Sequence, residues 1–539
     1  MLQHLGAPFK KLAAWLWLHP VLVACLAITV SACCKIARLT SRELWLDETY
    51  TAFVATLPFP EVLRHTAGDM HPPLYWVLVW AWARLVGDGP AQLRLLSALL
   101  SLCASFGMLI VGRRFMGARA GCLAAILFAF SPMLFVYSLE VRMYMMAILV
   151  VVCLLTLHQI VVVDKHNTIW WLIAYASLAA ALFYVHYGGL FVVAGLFADW
   201  LFATRFARRQ LVRMGAAGIL FAALISPWIP TVLSQRANKI ELDRVLVASY
   251  SNPESLTFGS RPETLRPSGR VAAGILLKGL AAAIGCYPAK SPVLLGVAAI
   301  PLVILIAGAG LLFMKNDEVC RLFALIGLFV LMGVLVFHLY STRNILYIVP
   351  ALILAFAQVI RRWADAKVFR PACVAVCALT LGVYAAGFLR QTIISHPHPW
   401  QETVSTIQKG YQPGDTVIFD AQYGQVPFDY FARQARFQPE EVGFPGSMYQ
   451  WWKSQPFKGW GGPVVTKPDL DQFVSGLRSG APRSLWLILF ETYYYDPSDA
   501  LGAALSRLGK TAELPTGREQ DSGAAPDESM PRLIRIRLE

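Results

Sequence analysis

The sequence is ordered by a succession of apolar runs, each of about the length that crosses a lipid bilayer. A hydrocarbon core of about 30 Å needs roughly 20 apolar residues at 1.5 Å each. Residues 20–38, 93–112, 120–137, 141–163, 169–185, 188–203, 212–233, 293–314, 319–340, 345–360 and 371–389 approach or meet that length. Of the 539 residues 57% are hydrophobic and only 15% are charged, which no ordinary soluble domain of this size combines. The pattern predicts a polytopic α-helical membrane protein with about eleven spans. Residues 74–87 would make a helix only about 21 Å long, and residues 271–286 carry Lys278 in their middle. Both are read as interfacial.

Charge orients the spans. The formal net charge of +14 comes mostly from Lys and Arg between apolar runs, a topology signal rather than a nucleic-acid surface. The loops GRRFMGAR (112–119), RFARRQLVR (205–213) and RRWADAKVFR (361–370) should all be cytoplasmic. Span parity agrees when the two interfacial stretches are left out. It places the N-terminus inside, with the first apolar run retained rather than cleaved as a signal peptide. Outside fall the LWLDE loop, the YSLEVRMY turn, the HYGG turn, residues 234–292 and the tail from Arg390.

The tail changes character. QPGDTVIFDAQY, RSLWLILFETYYYD and RLIRIRLE read as strands, and TVSTIQKGY and LDQFVSGLR as helices. Residues 391–539 therefore suggest a small extracytoplasmic α/β domain, following a membrane domain over 1–390 whose first outer loop is 39–92. The ten cysteines lie in or beside apolar segments and none lies beyond Arg390, so no disulfide framework or zinc pattern is visible.

Five polar groups gather on the outer side: Asp47 and Glu48; Asp69 and His71; Glu140, Arg142 and Tyr144; His186 and Tyr187; and Tyr340, Arg343 and Asn344. Such groups are costly beside lipid, which makes function a reasonable default. Each has a plainer role as well. Asp47 suits a helix N-cap, and consecutive carboxylates on a helix point about 100° apart, so one alone would face a substrate squarely. His71 fits a turn before Pro72 and Pro73. Continuous helix through YSLEVRMY would set Tyr137, Glu140 and Tyr144 on one face and Arg142 nearly opposite, as in an interfacial anchor. Arg343 defies the positive-inside bias and suits a phosphate, of which a lipid headgroup is the plainer source. Trp451, Trp452 and Trp460 could stack on sugars or serve as core.

In order and spacing these pieces resemble the membrane-embedded glycosyltransferases of the GT-C superfamily, in particular protein O-mannosyltransferases and the lipid A aminoarabinose transferase (glycosyltransferase family 39 and relatives). The matching segments are WLDE (45–48), HPPLYW (71–76), LRLLSAL (93–99), GRRFMGARAG (112–121), SPMLFVYSLEVRMY (131–144), HYGGL (186–190) and TRNILYIVPAL (342–352). The resemblance implies a GT-C fold, a sugar donor carried on a polyprenyl phosphate, and Asp47 as base on the acceptor hydroxyl, with Glu48 beside it. His71 stands where aminoarabinose transferases have a lysine, which weakens a donor-phosphate role for it. Donor and substrate contacts are expected among Tyr50, Asp69, His71, Glu140, Arg142, Tyr144, His186, Tyr187, Tyr340, Arg343 and Asn344.

The resulting expectation is an inverting glycosyltransferase of the bacterial inner membrane. It would move a sugar from a polyprenyl-phosphate donor to a lipid, glycan or protein acceptor on the extracytoplasmic face. No cofactor is expected: Asp47 and Glu48 form no DxD pair, and a divalent cation would find only Asp69 as a further oxygen donor. A flippase for lipid-linked sugars, without bond chemistry, and a ligase joining a glycan to a lipid are the alternatives; no internal repeat favours the former.

Overall fold

Leu, Ala and Val in long uninterrupted runs satisfy every backbone group within the helix and leave apolar side chains outside it, as a spanning segment requires. The computed structural model describes residues 18–166, 168–249, 292–336, 342–394, 398–453, 465–480, 482–492, 496, 498–514 and 530–538. Among them six helices are long and apolar enough to cross a membrane: Pro90–Met116, Tyr144–Val163, Arg208–Glu241, Glu318–Val336, Leu346–Asp365 and Arg370–Ile393. Pro20–Ile36, Ala118–Ala129, Ile169–Val185 and Gly189–Ala203 are apolar but shorter. The chain is an integral membrane protein. Residues 271–286, Tyr340 and Trp460 lie outside the described residues.

By contacts the chain forms two units. The first holds the described residues of Met1–Leu39, Ala91–Trp228 and Ser268–Ile394. Three expected runs are interrupted or shifted in it. Residues 120–137 divide at Ser131-Pro132, where Pro132 supplies no N–H and Ser131 Oγ accepts from Leu134 N at 3.4 Å to cap the short Pro132–Tyr137 helix. The run from 141 starts its helix only at Tyr144 and ends in a π turn over Gln159–Val163. The run from 212 turns through Ser226–Trp228 around Pro227.

Glycine sets the closest approaches in this unit. A Cβ on Gly195 would stand 2.7 Å from Ile326 Cα, and one on Gly121 would stand 2.4 Å from Arg113 N. The helices Gly189–Ala203 and Glu318–Val336 thus meet backbone to backbone, as do Pro90–Met116 and Ala118–Ala129. Two buried acids are paired: Asp199 accepts from His158 Nε2 at 2.9 Å and Arg321 Nε at 2.7 Å, and Asp317 accepts from Gln358 Nε2 at 2.7 Å and Arg362 Nε at 3.0 Å.

The second unit holds the described residues of Thr40–Pro90, Ile229–Pro267 and Ser395–Glu539. Its centre is a five-stranded sheet of β1 (Thr416–Asp420), β2 (Glu440–Gly443), β3 (Ser484–Leu489), β4 (Gly509–Leu514) and β5 (Arg532–Leu538), in the order β2-β1-β3-β5-β4. β1 runs parallel to β2 and β3, whereas β5 is antiparallel to β3 and β4. TVIFD and SLWLIL are buried along their whole length, as strands covered on both faces must be. β4, GKTAEL, is a charged, exposed edge. Ile418, Leu485, Leu487, Leu501, Leu505 and Ile536 form the core with Phe444 and Leu470.

The first loop is woven into this unit. Both Glu43 oxygens accept backbone N–H groups at the start of the Pro399–Gly410 helix, from Trp400 at 2.9 Å and Gln401 at 2.7 Å. A carboxylate at a helix N-terminus satisfies two orphan donors and opposes the positive end of the dipole.

Candidate active-site residues in the two units

In the second unit the LWLDE segment opens the Leu46–Thr56 helix, with Trp45 as N-cap. Asp47 is therefore the second helical residue and not the cap. Glu48, third in the helix, reaches back so that its Oε2 accepts from Trp45 N at 3.2 Å, and its side chain is buried. Asp47 remains half-exposed on the same first turn. The two neighbours are thus unlike: one closes the helix start and is buried, the other is half-exposed.

Glu491, just past β3, lies near enough to Asp47 to feel its charge. Burial first, and then the charge of Asp47, push the Glu491 carboxyl up to about 7 from its ordinary 4.5. Glu491 also has a left-handed backbone, φ 50°, uncommon away from glycine. Its carbonyl accepts from Tyr423 OH at 2.5 Å.

Asp69 and His71 meet, His71 Nδ1 lying 2.9 Å from Asp69 Oδ2, just before Pro73 caps the Leu74–Val86 helix. Tyr50 is packed in an aromatic cluster, its ring centroid 5.4 Å from Trp76 and 5.1 Å from Trp452. Its hydroxyl lies 3.3 Å from His65 Nδ1. Burial and then Arg64 push His65 down to about 4. Trp452 belongs to this core rather than to an open stacking surface.

A cavity of about 440 Å³ opens beside that cluster, lined by Phe53, Tyr430, Phe437, Asp429, Glu441 and Arg433 among others. Asp429 Oδ2 accepts from Tyr449 OH at 2.5 Å, and Gln425 Nε2 donates to Glu441 Oε1 at 3.3 Å. Burial and the adjoining Asp429 raise the Glu441 carboxyl to about 9, so this acidic pair holds a proton at neutral pH. Aromatic faces beside carboxylate oxygens suit a ligand rich in hydroxyl groups.

In the first unit, residues 138–143 between the Pro132–Tyr137 and Tyr144–His158 helices are turns, not helix. The expected opposition of Glu140 and Arg142 across a helix therefore does not apply. Both are buried, and Ser97 Oγ donates to Glu140 O at 2.6 Å. Tyr144 meets Tyr137 edge to face with centroids 5.0 Å apart. His186 Nδ1 accepts from Gly188 N at 3.0 Å, and Trp228 Nε1 donates to Tyr187 OH at 2.8 Å. Arg343 is half-buried in the Thr342–Ile348 3-10 helix, which also holds Asn344. The Asn344 side chain lies outside the described residues.

Tyr347, Glu491 and the Asp429–Glu441–Tyr449 group had no counterpart in the sequence expectation. Tyr347 is buried, its ring 5.1 Å from His186, and its hydroxyl has no hydrogen-bond partner among the described residues. A carboxylate directly after a buried apolar strand, as in LWLILFE, is the one local signal that Glu491 carried.

A family model described as dolichyl-phosphate-mannose-protein mannosyltransferase matches residues 70–230. The fold is shared with ArnT from Cupriavidus metallidurans in the apo state, at TM-score 0.56 and 15% identity over 97% of this chain and 98% of that one. It is shared with the same protein bound to undecaprenyl phosphate, at TM-score 0.53 and 15% identity over 95% and 97%. The oligosaccharyltransferase of Archaeoglobus fulgidus in complex with zinc and sulfate matches at TM-score 0.50 and 11% identity over 91% and 72%. Comparison with curated protein sequences finds no match. The chain has the GT-C fold. In a stretch of its sequence as well as in fold, it is similar to the GT-C superfamily.

Proposed function

We propose that this protein is a glycosyltransferase of the GT-C type that uses a lipid-linked donor. In the finer reading it transfers a sugar from a polyprenyl phosphate to an acceptor hydroxyl, with inversion, on the extracytoplasmic face of a bacterial inner membrane. The observation that carries the proposal is the unlike placement of Asp47 and Glu48. Glu48 is engaged by the helix start, while Asp47 is half-exposed near a second carboxylate, Glu491. The shared fold with a protein solved with undecaprenyl phosphate supports the choice of donor.

In this reading Asp47 takes the proton of the acceptor hydroxyl as its oxygen attacks the anomeric carbon, and the bond from that carbon to the phosphate oxygen breaks. The lipid phosphate leaves with both bonding electrons and needs cations rather than an acid. Arg142 and Arg343 are assigned that role, since a guanidinium presents forked donors to phosphate oxygens. Asp69, His71, Glu140, Tyr144, His186, Tyr187 and Asn344 are assigned to the walls of the donor and acceptor sites. The hydroxyl-suited cavity near Phe53 and Glu441 is assigned to a more distant part of a glycan or lipid acceptor.

The test incubates purified protein with labelled polyprenyl-phosphate sugars and cell-envelope acceptors. Wild type should release free polyprenyl phosphate. Asp47→Asn should keep its thermal stability and lose roughly 10²–10⁴-fold in turnover, the range of a general base. Undiminished turnover in that variant overturns the assignment of Asp47. Movement of lipid across a bilayer with no polyprenyl phosphate released by wild type would favour a flippase.

A further inference from the structure

The carboxyl ends of β1 and β3 lie side by side, and the chain leaves them in opposite directions. β1 leads to β2 on one side, whereas β3 leads to β4 and β5 on the other. In open α/β sheets such a switch point forms the crevice where ligands bind. Asp420, the last residue of β1, is in register with Leu489, the last of β3. Its side chain is wholly buried, and among the described residues no N–H or hydroxyl donates to either carboxylate oxygen, the polar group it meets being another carboxyl, that of Asp496. That is unusual, because a buried carboxylate that receives no donor costs far more than a neutral polar group.

What it faces makes the cost higher. Oxygens of Asp420, Asp496 and Asp499 all lie within 4.8 Å of one another. Asp496 is buried too and is held in orientation: its Oδ1 accepts from Ala500 N at 2.9 Å and Ser498 Oγ at 3.2 Å, and its Oδ2 from Leu501 N at 2.8 Å. Asp499 is exposed and completes the rim. Arg532 acts on Asp499 but is itself bonded to Glu513, at 3.1 Å.

We infer that Asp420, Asp496 and Asp499 hold a calcium ion at the carboxyl ends of β1 and β3. Calcium takes oxygen ligands at about 2.3–2.6 Å in irregular geometry, so two oxygens across it stand up to about 5 Å apart. Magnesium demands a regular octahedron and keeps several of its waters, which two buried carboxylates fixed by the fold do not suit. An oxygen that already accepts one N–H keeps a second lone pair for the ion. The ion would tie the end of β1 to the chain after β3, the stretch that starts at Glu491 near Asp47. The site is separate from the glycosyl-transfer reading and stands without it.

The experiment uses full-length protein in detergent, treated with chelator and then titrated with calcium alone, by calorimetry and by thermal unfolding. Wild type should take up about one calcium per chain, with Tm rising several degrees at saturation. Asp420→Asn should lose at least tenfold in affinity and lose the Tm response. Asp499→Asn, at the exposed rim, keeps the fold in any case and should weaken binding several-fold. The inference is overturned if millimolar calcium gives neither heat nor a Tm shift in wild type, which would mean that the three carboxylates share a proton instead. Calcium binding of wild-type strength in Asp499→Asn overturns the ligand set, and tighter binding of magnesium overturns the choice of ion.

Discussion

Removing the charge of Glu491 should flatten the pH dependence of stability between about pH 4.5 and 7. Burial and then Asp47 hold this carboxyl at about 7 in the folded protein, against 4.5 ordinarily. Across that interval the native state keeps a proton that the unfolded chain has released. Stability therefore falls as pH rises through the window and stays lower above it. At about 1.36 kcal/mol per pKa unit the full difference is about 3 kcal/mol, and screening at a half-buried group leaves about 1–2 kcal/mol. Thermal unfolding of wild type and Glu491→Gln at pH 4.5 and 8 reads it directly. Wild type should lose roughly 1–2 °C more than the variant between the two pH values, at about 2 cal/mol/K of unfolding entropy for each of 539 residues. Other raised carboxyls, Glu441 among them, contribute equally to both proteins and cancel in the comparison. Asp47→Asn should reduce the slope part of the way, since its charge is the smaller of the two causes. Parallel curves for wild type and Glu491→Gln would refute the placement of Glu491 near Asp47.

Glu48→Ala should cost about 0.5–2 kcal/mol in thermal unfolding by freeing the start of the Leu46–Thr56 helix, and lower turnover far less than Asp47→Asn. Arg343→Ala, and separately Arg142→Ala, should raise the donor KM and lower kcat together if each holds phosphate in ground and transition states; wild-type values for both parameters remove that residue from the site. Gly195→Val should destabilise by about 1–3 kcal/mol, because its Cβ meets the Ile326 backbone, while Gly310→Ala, with nothing within 4 Å, should stay within about 0.5 kcal/mol of wild type.

The six long apolar helices were legible because hydropathy and length are local properties of the chain, whereas the expected total of about eleven spans was not reached among the described residues. The breaks between helices were less legible. Pro132 and Pro227 announce themselves, but SLEV, which carries Glu140, holds no Gly or Pro to mark 138–143 as turns. β1 and β3 stand out as apolar runs buried on both faces; β2, only EEVG, and β4, a charged edge, have neither the length nor the alternation that reveals a strand. In LWLDE the adjacency of two carboxylates was plain, yet which one serves the helix depends on a start at Leu46 rather than at Asp47. Glu491 near Asp47, and Asp420 beside Asp496 and Asp499, are encounters between segments far apart in sequence. No local pattern encodes them.

The two hydrogen bonds that Glu43 accepts from the Pro399–Gly410 helix set a timetable for synthesis. Trp400 follows Glu43 by 357 positions. At roughly 5–20 residues per second, the first loop waits about 20–70 s for the backbone groups that its carboxylate receives. Throughout that interval an apolar, aromatic-rich segment of about 50 residues has emerged without its sheet, while most of the membrane helices are still being made. A chaperone that shields extended chains should therefore crosslink to residues 40–90 during translation, and release them only after the strands have followed.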